Sequence, residues 1–376
     1  MGQSNSAPTS VPSSLTKSQA FYRSLSKTLP PLSVQDYEAI FASLAQTDDI
    51  GEVTYWTEDT LARFLEVPSK IGSLLFKSAS YLAALPTLEN VPAPLDKEGL
   101  GIAAILLTQQ IPGEVLSRRE LNRLLFNSFA EIPPKATDSE TDKEASEKRH
   151  RPYGPQIPVA TMTSLILFLL SMSTSHSLTT PETTLSSTTE SSRRHAPTTA
   201  KAIITAIQGY AKSPSDLIHY DAFRAFIERD SPYFFDPLVP LFQNFFFDRQ
   251  KWTGKTLVRE GWIGAMETEN LTDTMNLFTL AQLSMFFPKE WRMGKMVALY
   301  AGSRDGFSMG MFESKVLKYP GINFLSIVLI TGPSILLVRG ITKSSGTDPE
   351  EVLLGVYVST PWKSSSKGIS DHSLCR

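Results

Sequence analysis

Residues 173–192 contain fourteen Ser or Thr in twenty positions, and no other feature restricts the fold of this chain as much. A run of that kind gives a core almost no apolar surface. Burial cannot offset the backbone and side-chain entropy of ordering it, so the tract reads as disordered. Just before it, residues 132–151 lose apolar content and alternate charge through Lys135, Asp138, Glu140, Asp142, Lys143 and Glu144. The two together mark a low-complexity disordered insertion over residues 132–199. Between them lies an apolar window, residues 159–172, too short to span a bilayer and interrupted by Thr161, Thr163 and Ser164. A buried helix or strand accounts for it.

Ahead of the insertion, residues 15–131 read as a run of capped helices. Ser33 and Asp36 have capping-box spacing before a stripe of Tyr37, Ile40, Phe41 and Leu44. Thr57 caps a second helix carrying Leu61, Phe64 and Leu65, which Pro68 ends. Ile71, Leu74, Leu75 and Leu82 mark a third, and Ser117 with Glu120 opens a fourth carrying Leu121, Leu124, Leu125 and Phe129. The first two helices have the outline of an EF-hand around an acidic loop. Counted from Asp48, loop position 3 is Ile50, position 6 is Val53 and position 12 is Asp59. Calcium needs side-chain oxygen at the first and a glycine at the second, so the region reads as a degenerate EF-hand-like pair without metal. Beyond the insertion, residues 200–265 continue the helical region. Its dense aromatic run at 238–247 is expected to pack the helices against the C-terminal domain.

Residues 1–14 read as a disordered terminus that carries an N-myristoylation pattern, with Gly2 as the acceptor and Ser6 at the selective position. One acyl chain binds membranes only marginally. Lys17, Arg23 and Lys27, with no acidic residue before Asp36, supply a second, membrane-proximal basic signal. Leu15, Tyr22, Leu25 and Leu29 share one helical face, open to two uses: a membrane surface or the protein's own core.

The totals exclude several classes. The net charge is −2 over 376 residues, which argues against a general affinity for nucleic acid. One cysteine, Cys375, forbids an intrachain disulfide and fits a reducing compartment. The N-terminus lacks an apolar signal region, so a cytoplasmic location is expected. Gly254-Lys255-Thr256 resembles the end of a phosphate-binding loop, but the first glycine of that motif falls on Arg249. Of the five histidines only His219 lies in an ordered segment, leaving zinc and Ser-His-Asp arrangements without parts. No catalytic residue, metal site, cofactor or small-molecule substrate is expected.

The stretch at 299–320, LYAGSRDGFSMGMFESKVLKYP, follows an apolar run at 296–301 with strand character. Its glycines, Gly302 and Gly306, suit a turn, and Phe307, Met311 and Phe312 recur at helical spacing behind it. Apolar runs at 324–330 and 352–358 follow, the second inside GVYVSTPW. Strand, SRDGFS turn, short helix and GVYVSTPW together resemble the TLDc domain, and with the layout ahead of them they are similar to the fungal restriction-of-telomere-capping proteins.

That resemblance implies an α+β architecture: helical EF-hand-like pairs, then a TLDc β-sandwich with helices over residues 266–376. It also implies a binding module without enzymatic activity, one that engages subunits of the vacuolar proton-pumping ATPase. Ties to oxidative-stress resistance and an indirect effect on telomere capping come with it. Family members continue past the P-W pair with further strands, so the sandwich is expected to be incomplete here. The turn residues Arg304, Asp305 and Gly306 are candidates for partner binding. The competing reading has Asp305 capping the following helix while Arg304 pairs locally.

Overall fold

The computed structural model describes residues 16–47, 53–88, 91–109, 111, 115–131, 154–174, 190–211, 215–247, 276–286, 299–316, 334–342 and 350–358. The chain divides into two units, Met1–Arg259 and Glu260–Arg376.

The first unit is built from helix–loop–helix motifs joined in pairs through their loops. Helices α1 (Lys17–Ser26) and α2 (Pro31–Leu44) lead into a two-residue antiparallel ladder, β1 (Gln46–Thr47) with β2 (Thr54–Tyr55). Helices α3 (Glu58–Phe64), α4 (Ser69–Ala83) and α5 (Lys97–Leu107) follow. A backbone bridge between Trp56 and Leu95 ties the loop before α3 to the loop before α5. Each of these residues sits one position ahead of an N-cap, Thr57 for α3 and Asp96 for α5. The two motifs α2–α3 and α4–α5 are therefore matched in register.

A second pair repeats the scheme. It runs from α6 (Arg118–Phe129) through β3 (Gln156–Pro158) to α7 (Val159–Thr174). From there it passes through α8 (Glu190–Gln208) and β4 (Leu217–His219) to α9 (Tyr220–Arg229). Strands β3 and β4 are antiparallel, with Ile157 opposite Ile218. Both isoleucines are buried, so the short ladder is held by apolar side chains beneath it as well as by its hydrogen bonds.

This pairing corrects the boundaries 132–199. Met162, Leu165, Ile166, Leu169 and Leu170 are buried on α7, and Ala196 and Ala200 on α8. The apolar content of 159–172 outweighs the polar residues around it, and those residues form half of the second pair. Residues 132–153 and most of the Ser/Thr tract lie outside the described residues.

Local signals explain most helix starts. Thr57 accepts from the Thr60 N–H, and Ser117 forms a reciprocal capping box with Glu120. Those hydrogen bonds hold the Glu120 carboxyl below its usual pKa. The Ser33–Asp36 box is not formed, because α2 already starts at Pro31, two residues earlier. Proline at the first helical position has its φ preset and lacks the N–H that would go unpaired there, so that start wins. Helix α5 carries no polar stripe, since Gly99 through Leu107 are all buried. It forms the centre of the first pair.

The face containing Tyr22, Leu25 and Leu29 resolves to the core. All three are buried, and a Cβ on Gly101 of α5 would fall 2.4 Å from Tyr22 Cε2. The glycine lets the Tyr22 ring lie directly on the α5 backbone. Burial raises the Tyr22 pKa, with Glu38 and Glu98 adding to the shift.

Helix α10 (Leu238–Phe247) carries the aromatic run. Its rings pack on Tyr37, Trp56 and Phe64 of the first unit. The pattern showed that these rings would be buried but could not show against what.

In the second unit the described elements are helix α11 (Leu277–Ser284), a single turn α12 (Gly302–Asp305), helix α13 (Met309–Val316) and the strands β5 (Ser334–Thr342) and β6 (Glu350–Val358). Asn276 caps α11 by accepting from the N–H groups of Phe278 and Thr279. Strands β5 and β6 form a nine-pair antiparallel hairpin running from Ser334 opposite Val358 to Thr342 opposite Glu350. Strand β6 falls where the sequence placed one. Residues 324–330 lie outside the described residues, and of the run 296–301 only the non-helical, non-strand end at 299–301 is described.

Candidate functional site

The turn after Tyr300 is a closed hydrogen-bonded unit. Ala301 is extended and its carbonyl accepts from the N–H groups of Arg304 (3.0 Å) and Asp305 (2.7 Å). The Gly306 N–H returns to the Gly302 carbonyl at 2.9 Å. Gly306 has φ 83° and ψ 162°, a region that side chains beyond hydrogen hardly reach. The Tyr300 hydroxyl donates to the Gly306 carbonyl and fixes the far side of the turn. Its ring meets Phe312 of α13 edge-on, with centroids 5.4 Å apart.

Asp305 is the centre of this unit. Its Oδ2 accepts from the Ala301 N–H at 2.9 Å, and Arg304 donates to both carboxylate oxygens at 3.1 Å. Lys315 of α13 adds a third partner, Nζ to Oδ1 at 2.6 Å. The Asp305 side chain is only 5% exposed. Arg304, Lys315 and the Ala301 N–H together hold its carboxyl far below the usual carboxylate range.

Neither sequence reading of Asp305 survives intact. It does not cap the next helix; it closes its own turn onto Ala301 and ties that turn to α13 through Lys315. Nor does it stand out as half of a presented charge pair, since the carboxylate faces inward. Arg304 pairs with it locally, as the structural alternative held. Lys315 of α13 is a partner of the turn.

What the turn presents is apolar. Phe307 is 91% exposed and Met309 69%, with Met311 also exposed. A Cβ on Gly302 would come within 2.5 Å of the Phe307 ring, so the glycine is what lets the ring fold back over the turn. Sequence reasoning counted Phe307 into a helical stripe, which usually means burial. The helix begins at Met309, leaving Phe307 ahead of it on the turn.

The other candidate residues lie elsewhere. Lys17, Arg23 and Lys27 are exposed at α1, on the side away from its buried face. Gly2 lies outside the described residues. Among the described residues no group of three His, Cys, Asp or Glu is placed to hold a metal ion, and no helix is long and apolar enough to cross a membrane. The bridge between Trp56 and Leu95 also moves the loop register by one residue. With the cap Thr57 at loop position 9, position 12 is Thr60, which cannot give calcium its bidentate carboxylate.

Residues 269–375 match the family model described as the TLDc domain, and the turn lies inside that span. The chain carries a TLDc domain. Similarity to curated fungal proteins extends well beyond it. A Colletotrichum graminicola protein named Restriction of telomere capping protein 5 is 26% identical, covering 91% of this chain and 67% of that protein. A protein of the same name from Sordaria macrospora is 27% identical over 90% of this chain and 68% of its own length. In Leptosphaeria maculans the figures are 26%, 97% and 71%. The sequence similarity thus covers the segment ahead of the TLDc match as well, and the α+β architecture is common ground between sequence and structure.

Proposed function

We propose that this chain is a non-enzymatic TLDc interaction protein that works at the cytosolic face of the vacuole and binds subunits of the vacuolar proton-pumping ATPase. An influence on telomere capping, the property named in its relatives, then arises indirectly. The supporting observation is Phe307, 91% exposed on a turn whose backbone is fixed by Asp305, inside the TLDc match. An exposed aromatic on a pre-ordered turn loses little conformational freedom on binding, which is what an interface anchor needs. A pull-down from detergent-solubilised vacuolar membranes, with the full chain as bait, should recover pump subunits. Phe307→Asp should lower that recovery while β5–β6 keeps its hydrogen-exchange protection. Recovery of no pump subunit by the unmodified chain would sink the reading.

The membrane part rests on Gly2, Lys17, Arg23 and Lys27. Because α1 commits Tyr22, Leu25 and Leu29 to the core, contact with lipid is left to the acyl chain and the three cations. Gly2→Ala should move the protein from the membrane fraction to the soluble one. Equal membrane retention of that variant would remove the anchor from the account. The buried face of α1 also favours a second reading: a soluble factor in oxidative-stress resistance or telomere maintenance that never contacts a membrane. Mass analysis of the mature N-terminus separates the two, since the second requires a free or acetylated Gly2.

A further inference from the structure

Helix α10 is attached to the first helix–loop–helix pair in the manner of a bound ligand. Its Phe246 ring lies 5.0 Å from Phe64 of α3, 5.8 Å from Trp56 of the bridging loop and 6.1 Å from Tyr37 of α2. Phe245 meets Phe64 edge-on at 5.5 Å, and Phe247 lies 5.9 Å from Tyr37. One short helix therefore meets rings of α2, α3 and the loop between them, and it also packs on α5 and touches α7 of the second pair. Eight of its ten residues are buried.

The segment leading into α10 is fastened to the other pair. Phe234 and Phe235 pack on Phe223 of α9 at 5.3 and 5.6 Å, Phe235 stacks on Phe129 of α6, and Asp236 pairs with Arg118. Residues 231–247 thus run from an anchorage on the second pair to a groove on the first.

Nothing in the sequence of α10 would keep it helical alone. LVPLFQNFFF holds four phenylalanines, a valine, an asparagine and a proline, and the residue ahead of it, Pro237, has no side-chain group to cap it. Helices of about ten residues are marginal in water even with good formers, so this one takes its shape from the groove. We propose that the groove formed by α2, α3, α5 and the Trp56 loop is a receptor for an aromatic amphipathic helix, and that α10 fills it in cis as a separately releasable unit. A protein partner for this groove would present a helix with aromatic side chains at i, i+3 and i+4, and would have to displace α10.

Native-state hydrogen exchange on the full chain tests this. The amides of α10 should exchange through a local opening, roughly tenfold or more faster than those of α4 and α5 and with a weaker denaturant dependence. If α10 and α5 share one opening with the same rate and the same denaturant slope, α10 is ordinary core and the proposal is overturned. A second experiment uses the full chain carrying Phe246→Ala and a labelled peptide spanning residues 236–248 with added lysines. That chain should capture the peptide, the unmodified chain should not, and adding Phe64→Ala should abolish capture. Failure of a Phe246→Ala chain with protected α4 and α5 to bind the peptide overturns the proposal. If the variant unfolds instead, the exchange pattern of the unmodified chain decides.

Discussion

Lys315 Nζ lies 2.6 Å from Asp305 Oδ1, so the turn and the helix that follows it are fastened by a charge pair ten residues apart. With Arg304 and the Ala301 N–H on the same carboxylate, the folded state lowers the Asp305 pKa. A depressed carboxyl contributes stability that is complete above its unfolded value, about 4, and is lost as pH falls from there toward the folded value. Protection of the amides in 301–316 should therefore fall between about pH 4 and lower pH. Asp305→Asn should lower protection at neutral pH and flatten that acid dependence. An acid dependence unchanged in the variant would assign it to other groups.

Gly306→Val should damage the second unit more than Arg304→Ala. At φ 83° and ψ 162° a β-branched residue costs about 1–3 kcal/mol. Arg304 is half-exposed, and its loss leaves Lys315 and the Ala301 N–H on Asp305. Thermal unfolding of both variants checks the order. Normal folding of Arg304→Ala together with lost pump binding would instead make Arg304 a recognition residue.

Gly101→Val should release α1 from α5. A side chain there meets the Tyr22 ring at 2.4 Å, and overpacking of that kind costs about 1–3 kcal/mol. Limited proteolysis should cut after Lys17, Arg23 or Lys27 in the variant well before the other helices are attacked. Unchanged cleavage kinetics would mean that α1 tolerates the added side chain by shifting along α5.

Trp56→Ala should be the most destabilising single change in the first pair. The ring is fully buried, stacks on Phe41, meets Phe64 edge-on, and donates from Nε1 to the Phe41 carbonyl at 3.2 Å. Deleting a buried Trp costs about 3–5 kcal/mol, and the loop bridge to Leu95 sits on the same residue. Urea unfolding followed by circular dichroism would measure it. A loss under about 1 kcal/mol would show that the aromatic cluster is not the centre of the unit's stability.

Calcium should leave the melting temperature of the first unit unchanged. In the bridged register loop position 12 is Thr60 and position 6 is Thr54, so the bidentate carboxylate and the turn glycine are both missing. A calcium-dependent rise in melting temperature that Asp49→Ala removes would overturn this.

The sequence by itself determined what is local. Thr57 and Ser117 announced two helix starts, because a cap depends on residues three positions apart. Gly306 announced the positive φ of the turn for the same reason. Helix α5 left no periodic trace, since a helix buried on every side has no polar face to mark its period. The second pair was obscured by the polar residues within 132–199, and the ladder of β3 with β4 joined its two motifs. Tertiary structure alone decided that α10 lies on α2 and α3, that Asp305 turns inward to Lys315, and that Phe307 faces out. Each depends on contacts between residues distant along the chain or on the direction of a side chain. Burial tendency is written in composition, but the partner of a buried group is fixed only when the elements meet.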